Sequence, residues 1–260
     1  MQKILYLLAL LFGISSCVPN KKLTYLQDNS FSSGYAKTIP TQKILYRIQP
    51  NDVLSVRVQG ATQEITNTLN TVNPANPNNS SDPGNMFLSG YSVDESGSIN
   101  LPTVGKLSVK DLTVEEAQAA VQKQIGEYFT NTTVMVKLVS FKIVVLGAVS
   151  KPGYFYIFNG QATLLDALGL AGDMTVFGNR QNIKLVRQTA KGTEVVLLDL
   201  TKADVIKSPY FYLVPNDVVY VEALKAQSAR NNIAPIGSLL GFITSAVLFL
   251  TFVGVLNIGK

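Results

Sequence analysis

The sequence of 260 residues contains no histidine, no tryptophan and a single cysteine. Zinc sites, cysteine–histidine nucleophiles and serine–histidine–aspartate triads each require residues that are absent or too few here. One cysteine also excludes a disulfide within the chain. Carboxylates, lysine, tyrosine and hydroxyl groups remain for chemistry, and we predict no catalytic residue, no metal site and no cofactor.

Charged residues are also scarce, at 15% of the chain, although the net charge is +5. The 22 lysine and arginine residues are scattered without a basic run, which argues against a nucleic-acid partner. Hydrophobic residues make up 47% of the sequence, so the chain can build substantial cores. Its length fits one large domain, or two small domains with accessory segments.

The N-terminus has the pattern of a bacterial secretion signal. A basic start precedes the apolar run Ile4–Ile14, which is too short to span a bilayer. The run ends in Ile-Ser-Ser before Cys17, which resembles a bacterial lipobox and predicts acylation of Cys17 by membrane lipid after removal of residues 1–16. Val18 follows Cys17. An aspartate at this position would resemble the inner-membrane retention signal of enteric bacteria, so its absence favours the outer membrane. Residues 17–43 then form a polar, lipid-anchored tether; an ordinary secretory peptide with an accidental cysteine is the alternative.

A short phrase occurs twice and marks two related corners of the chain. Proline presets φ at about −65°, asparagine and aspartate bind nearby backbone amides, and alternating apolar residues then enter a strand. The aspartates are therefore predicted to form turns and not to act as catalysts. The two copies are Pro50-Asn51-Asp52 and Pro215-Asn216-Asp217, each followed by valine.

Residues 44–140 predict a first small unit that mixes strands with one helix. Tyr91–Pro102 has the pattern of a hairpin that turns at Ser96-Gly97. A helix follows a Thr113–Glu116 capping box, and its apolar face contains Ala117, Val121, Gln124, Ile125 and Tyr128. Residues 66–85 are rich in asparagine, serine and proline and predict a long flexible insertion.

Residues 141–225 predict a second small unit of the same mixed kind. Strands are expected at Ile143–Val149 and Tyr154–Phe158, with a hairpin around Lys191-Gly192. Between them a Thr163–Asp166 capping box begins a short helix. The predicted fold class is therefore α+β, with two small mixed domains.

The C-terminal residues 226–260 predict a transmembrane helix as a third element. Ile236–Leu256 is uncharged and would be about 30 Å long as a helix. Small residues lie along one stripe, which could be the wall of an oligomeric helical barrel, a dimer contact or part of a passive anchor. A buried globular helix is the further alternative. The stripe contains Gly237, Gly241, Thr244, Ser245, Thr251 and Gly254.

Three motifs of the first unit together resemble the polysaccharide export domain of Wza-type capsule exporters. They are P-N-D-V-x-x-V, V-D-E-x-G-x-I-x-L-P and L-T-x-x-E-A, which begin at Pro50, Val93 and Leu112. The L-G-A-V-x-K-P-G-x-F segment at Leu146 and the second Pro-Asn-Asp-Val phrase resemble a soluble ligand-binding β-grasp (SLBB) domain. The usual glycine before aspartate is replaced by asparagine in both phrases, and only one SLBB-like unit is present.

This resemblance implies an outer-membrane ring of identical subunits that exports capsular or exopolysaccharide and contacts an inner-membrane polysaccharide co-polymerase. Polar and aromatic groups such as Tyr154 and Tyr156 could touch the sugar, although an aromatic strand more often belongs to a core. A passive periplasmic polysaccharide-binding lipoprotein is one alternative. A second is an enzyme using the pairs Asp94-Glu95 or Glu115-Glu116, which is disfavoured because strand neighbours face opposite ways and acids favour helix starts.

Overall fold

The computed structural model describes residues 20–60, 62, 66, 70, 89–224, 241, 242, 245 and 249. The predicted signal peptide, Cys17 and most of the predicted insertion at 66–85 lie outside these residues. The described part contains two successive units of mixed α/β content, each with its own hydrophobic core.

The first unit is built from five strands and one helix. They are β1 (Val53–Gln59), β2 (Tyr91–Ser92), β3 (Ser98–Leu101), β4 (Gly105–Ser108), α1 (Val114–Gly126) and β5 (Thr133–Leu138). An antiparallel sheet has the strand order β2-β1-β5, while β3 and β4 pair separately. Helix α1 packs against β5 and covers one face of this sheet.

Helix α1 begins as its sequence predicts. The Thr113 side chain accepts from the backbone of Glu116, whose carboxylate accepts from the backbone of Thr113, so the predicted capping box is confirmed. Of the predicted apolar face, Ala117, Val121 and Ile125 are buried, whereas Tyr128 follows the helix end and is exposed.

Two glutamines of α1 protect the outer edge of β5. The side-chain oxygen of Gln118 accepts from the Val136 amide at 3.1 Å, and that of Gln122 accepts from the Val134 amide at 2.9 Å. Because Gln118 and Gln122 are four residues apart, they lie on the same helix face and reach alternate strand residues. The edge amides are therefore satisfied within the unit and not left open for another strand.

The second unit has seven strands and one helix. They are β6 (Lys142–Gly147), β7 (Gly153–Tyr156), β8 (Ala162–Thr163), α2 (Leu164–Leu170), β9 (Gly178–Thr189), β10 (Gly192–Leu198), β11 (Tyr212–Leu213) and β12 (Val218–Ala223). Five strands form one sheet in the order β10-β9-β12-β6-β7, and β8 pairs with β11. Only β12 and β6 run parallel. Two 3₁₀ helices, Asn20–Lys22 and Ala203–Lys207, lie outside the strands.

One face of the five-stranded sheet is buried against α2. Alternate residues of the three central strands point to this face, and α2 covers them with Leu164, Ala167 and Leu168. The Thr163–Asp166 capping box that begins α2 is confirmed. The buried residues of the strands are Ile143, Val145, Ile183, Leu185, Val219 and Val221.

The predicted hairpin at Tyr91–Pro102 is wrong in its pairing. The turn is present, with Gly97 at φ +79°, but β2 pairs with β1 and β3 pairs with β4. The residues of the turn determine where the chain reverses its direction. The partners of each strand are determined by contacts between residues that are distant in sequence.

The predicted fold class is also wrong in its third element, the transmembrane helix at residues 226–260. Within the part of the chain that the structure describes, no helix is long and apolar enough to cross a membrane. An apolar composition indicates only that a segment prefers lipid to water. A membrane span additionally needs about 20 consecutive helical residues that satisfy their own backbone.

Candidate functional site

The first Pro-Asn-Asp corner is an internal turn before β1. Asn51 has a left-handed φ of +72°, a conformation that asparagine tolerates better than most residues. The buried Asp52 carboxylate accepts from the Tyr46 hydroxyl at 2.8 Å, the Gln49 amide at 2.9 Å and the Ser140 hydroxyl at 3.2 Å. Burial raises the pKa of Asp52, and these hydrogen bonds oppose that shift.

The second corner has the same backbone form with different partners. Asn216 has φ +68°, and the fully buried Asp217 accepts from the Val214 amide at 2.8 Å. Arg187 of β9 binds both carboxylate oxygens, with its Nε at 3.0 Å and a terminal nitrogen at 2.7 Å. Burial raises the pKa of Asp217, and the Arg187 guanidinium opposes that shift.

Arg187 is a partner that sequence reasoning did not find. Besides Asp217 it donates to the Tyr212 carbonyl oxygen at 2.9 Å, and its guanidinium lies 5.2 Å from the centre of the Tyr210 ring. A buried, bidentate arginine–carboxylate pair fixes the geometry of β9 against the corner. The only sequence signal was an arginine in alternation with the apolar Ile183 and Leu185, which point inward.

One member of each acidic pair considered for catalysis is occupied by structural contacts. Asp94 accepts from the Ser98 amide at 2.9 Å and the Ser96 hydroxyl at 2.6 Å, and forms an ion pair with Lys106 at 2.7 Å. The hydrogen bond from Lys106 holds the pKa of Asp94 well below its usual range. Glu116 belongs to the capping box of α1. Among the described residues, no group of three or more acidic, cysteine or histidine side chains is placed to hold a metal ion.

Among the described residues, no second layer covers the other face of the five-stranded sheet, and we call this surface the open sheet face. Directly paired residues point to the same side of a sheet. One such row runs through all five strands and has exposed ends, with Val195 61% and Tyr154 68% accessible to solvent. In strand order, the row is Val195, Val186, Val218, Val144 and Tyr154.

A second row and a few charges complete the open sheet face. Leu197, Tyr220 and Leu146 are exposed beside the apolar row, with Lys184 between the first two. Lys184 forms an ion pair with Glu222 at 3.4 Å. The surface can therefore dock a protein partner or contact sugar rings, but no group on it suggests bond chemistry.

The aromatic strand predicted to touch sugar lies at the end of this face. Tyr154 and Tyr156 point to the same side of β7, and their rings meet edge to face with centres 6.0 Å apart. Tyr154 is exposed and Tyr156 is partly buried. The structure therefore leaves Tyr154 available to a partner on the open sheet face.

The predicted C-terminal stripe and lipid site lie mostly outside the described residues. Gly241 and Ser245 are helical and exposed. The others, Cys17, Gly237, Thr244, Thr251 and Gly254, are not described.

The described residues define a class of protein by two features. Buried carboxylates stabilise turns, and an apolar, aromatic sheet face is exposed and available to a partner. Comparison with known families makes this specific. Residues 41–139 match the family described as polysaccharide biosynthesis/export protein, and residues 141–221 match the SLBB domain. The two matches coincide with the two units and together cover well over half of the chain. Residues 41–139 therefore form a unit of the polysaccharide biosynthesis/export protein family, and the resemblance of the chain to Wza-type exporters is confirmed.

Two curated relatives carry the same name. The chain is 28% identical over 146 residues to the EPS I polysaccharide export outer membrane protein EpsA of Ralstonia nicotianae, covering 55% of this chain and 38% of that protein. It is 27% identical over 146 residues to the protein of that name from Ralstonia solanacearum, covering 55% and 39%. The matched region thus spans less than two fifths of each relative.

Proposed function

We propose that this protein is a subunit of an outer-membrane conduit that carries capsular or exopolysaccharide from the periplasm to the cell surface. The observation that carries this proposal is the succession of an export-family unit and an SLBB unit in one chain. The names of the curated relatives, which are polysaccharide export outer membrane proteins, support it. The role is transport and not catalysis, consistent with carboxylates that serve turns and caps.

The proposal includes a ring of identical subunits. Each described unit has a continuous apolar core beneath its sheet, so a path for a polymer is expected between copies and not through one unit. The open sheet face is the surface we assign to the contact between neighbours. Covering a largely exposed valine, leucine or tyrosine there would contribute about 1 kcal/mol each.

Acylation at Cys17 and contact with an inner-membrane polysaccharide co-polymerase complete the proposal. Lipid at Cys17 would hold each copy at the membrane, since each buried methylene contributes about 0.8 kcal/mol. The co-polymerase would meet the periplasmic side of the ring.

A substitution on the open sheet face tests the subunit contact. Val195→Asp places a charge in the apolar row and should abolish the oligomer, lower surface polysaccharide and cause polysaccharide to accumulate in the periplasm. The measurements are the native mass of the detergent-extracted protein and the two polysaccharide pools. Val176→Asp is the matched control, because Val176 is 72% exposed and lies in a loop outside this face. An unchanged mass and unchanged export in Val195→Asp would exclude this interface.

The exposed Tyr154 favours one other candidate, a passive polysaccharide-binding lipoprotein. Deleting the whole protein separates the two functions. A conduit subunit is required for surface polysaccharide, whereas a passive binder can be lost while export continues. Normal export in the deletion strain would therefore contradict the conduit.

A further inference from the structure

Residues Thr24–Gln27 precede the first unit in sequence but are docked on the second unit. The Leu26 amide donates to the Leu200 carbonyl oxygen at 2.9 Å, and the Gln27 amide donates to that of Thr201 at 2.7 Å. In return, the Ala203 amide donates to the Gln27 carbonyl oxygen at 3.2 Å. The segment therefore docks through backbone hydrogen bonds and an isolated bridge between Gln27 and Lys202, against the chain that follows β10.

The side chains of this segment add to the second unit's core. Tyr25 and Leu26 pack against that core, and the Tyr25 hydroxyl donates to the Asp173 carboxylate. Burial and this hydrogen bond raise the pKa of Tyr25, so the phenol stays protonated and remains a donor. Leu26 has φ +50°, a conformation that non-glycine residues keep only where surrounding contacts impose it.

Arg180 is the residue that most needs this segment. It is 7% exposed, and its Nε has no hydrogen-bond partner among the described residues. The structure contains no ion pair of Arg180 with a carboxylate within the described ranges. The Tyr25 ring lies over the guanidinium, 5.0 Å from ring centre to the central carbon, and supplies a face of negative potential. Without Tyr25 the Arg180 guanidinium would lose the aromatic ring that lies over it.

The docking changes how the two units are connected. Among the described elements, no strand or helix of the first unit packs extensively on one of the second, and Leu138 is the residue shared by both cores. With the connection at Val139–Phe141 alone, the first unit would be free to swing. Because residues 24–27 are bound to the second unit, the first unit is attached to the second unit at both of its ends.

We propose that Thr24–Gln27 is a clasp that limits how far the export-family unit can move relative to the SLBB unit, through the mostly exposed residues 28–47 that join the clasp to the first unit. Opening the clasp then widens the range of motion about Val139–Phe141. The clasp does not depend on the proposed transport function, because it rests only on contacts within one chain.

The test measures the distance between the units in the full chain. Spin labels at Lys123→Cys in α1 and Lys191→Cys at the tip of the β9–β10 hairpin report the separation, with Cys17→Ser in every sample to exclude a third label. Tyr25→Ala should broaden the distance distribution about twofold or more and speed hydrogen exchange of the Leu26 and Gln27 amides. Tyr35→Ala is the matched control, since Tyr35 lies between the clasp and the first unit and is exposed.

Tyr25→Phe keeps the ring over Arg180 and removes the hydroxyl with its bond to Asp173, so it provides a milder second variant. It should speed exchange of the same two amides while β9 and β12 stay protected. If Tyr25→Ala unfolds the second unit, Tyr25→Phe decides the result. A distribution as narrow as the wild type in Tyr25→Ala, or unchanged amide exchange in both variants, would overturn the clasp.

Discussion

The two Pro-Asn-Asp corners share their sequence and backbone but differ in how they compensate a buried carboxylate. Asp52 is held by two hydroxyl groups and one backbone amide, all of them neutral. Asp217 is held by one backbone amide and the guanidinium of Arg187. The turn is thus a local property of four residues, whereas its electrostatic environment is a property of the surrounding strands.

The largest expected effect is at the charged corner. Asp217→Asn leaves the buried Arg187 cation without its counter-charge and should lower the free energy of unfolding by about 3–5 kcal/mol. Thermal or urea unfolding of the purified protein measures this loss. Arg187→Met combined with Asp217→Leu removes both charges and should cost clearly less than Asp217→Asn alone. If the double variant loses as much free energy of unfolding as the two single variants together, the pair does not act as a unit.

The neutral corner should respond more weakly and in a pH-dependent way. Asp52→Asn keeps an acceptor oxygen and should change stability by about 1 kcal/mol. Because the folded pKa of Asp52 is raised, its contribution is present below the unfolded pKa and is lost as pH rises through the folded value.

The wild type should therefore lose stability relative to Asp52→Asn as pH rises above about 4, the ordinary pKa of an aspartate. Unfolding curves of both proteins at each pH give this difference directly, and contributions shared by the two chains cancel. A difference that is constant with pH would contradict the raised pKa.

The smallest effects should be equal at the two corners, because they concern the shared backbone. Asn51→Ala and Asn216→Ala place alanine in a left-handed conformation and should each cost about 1 kcal/mol. Asn→Gly at either position should be neutral or slightly stabilising. These four variants, compared by thermal unfolding, test whether the two corners are equivalent. A large difference in stability between the two alanine variants would show that the surrounding residues change the conformational energy of the turn.

Sequence reasoning succeeded where the signal is local. The capping boxes at Thr113 and Thr163, the Lys191 turn and the buried side of α1 depend on residues within four positions of each other. The export and SLBB motifs are also short, and residues 41–139 and 141–221 match the corresponding families.

The remaining features depend on contacts between distant residues. The parallel pairing of β6 with β12, the Arg187–Asp217 pair and the docking of Tyr25 join residues that no periodicity connects. The open sheet face was missed because alternating valines indicate a strand without showing which face another layer covers. Hydropathy likewise suggested a C-terminal span, although a preference for lipid does not establish a continuous helix.

The docking of Thr24–Gln27 also constrains the order in which parts of the molecule can fold. Tyr25 and its acceptor Asp173 are 148 positions apart, so the contact cannot form until most of the chain has been synthesised. The first unit can fold earlier, because its core draws on residues 48–138 alone. Residues 24–27 can therefore dock only after the chain as far as Ala203 is present, later than the core of the first unit can form.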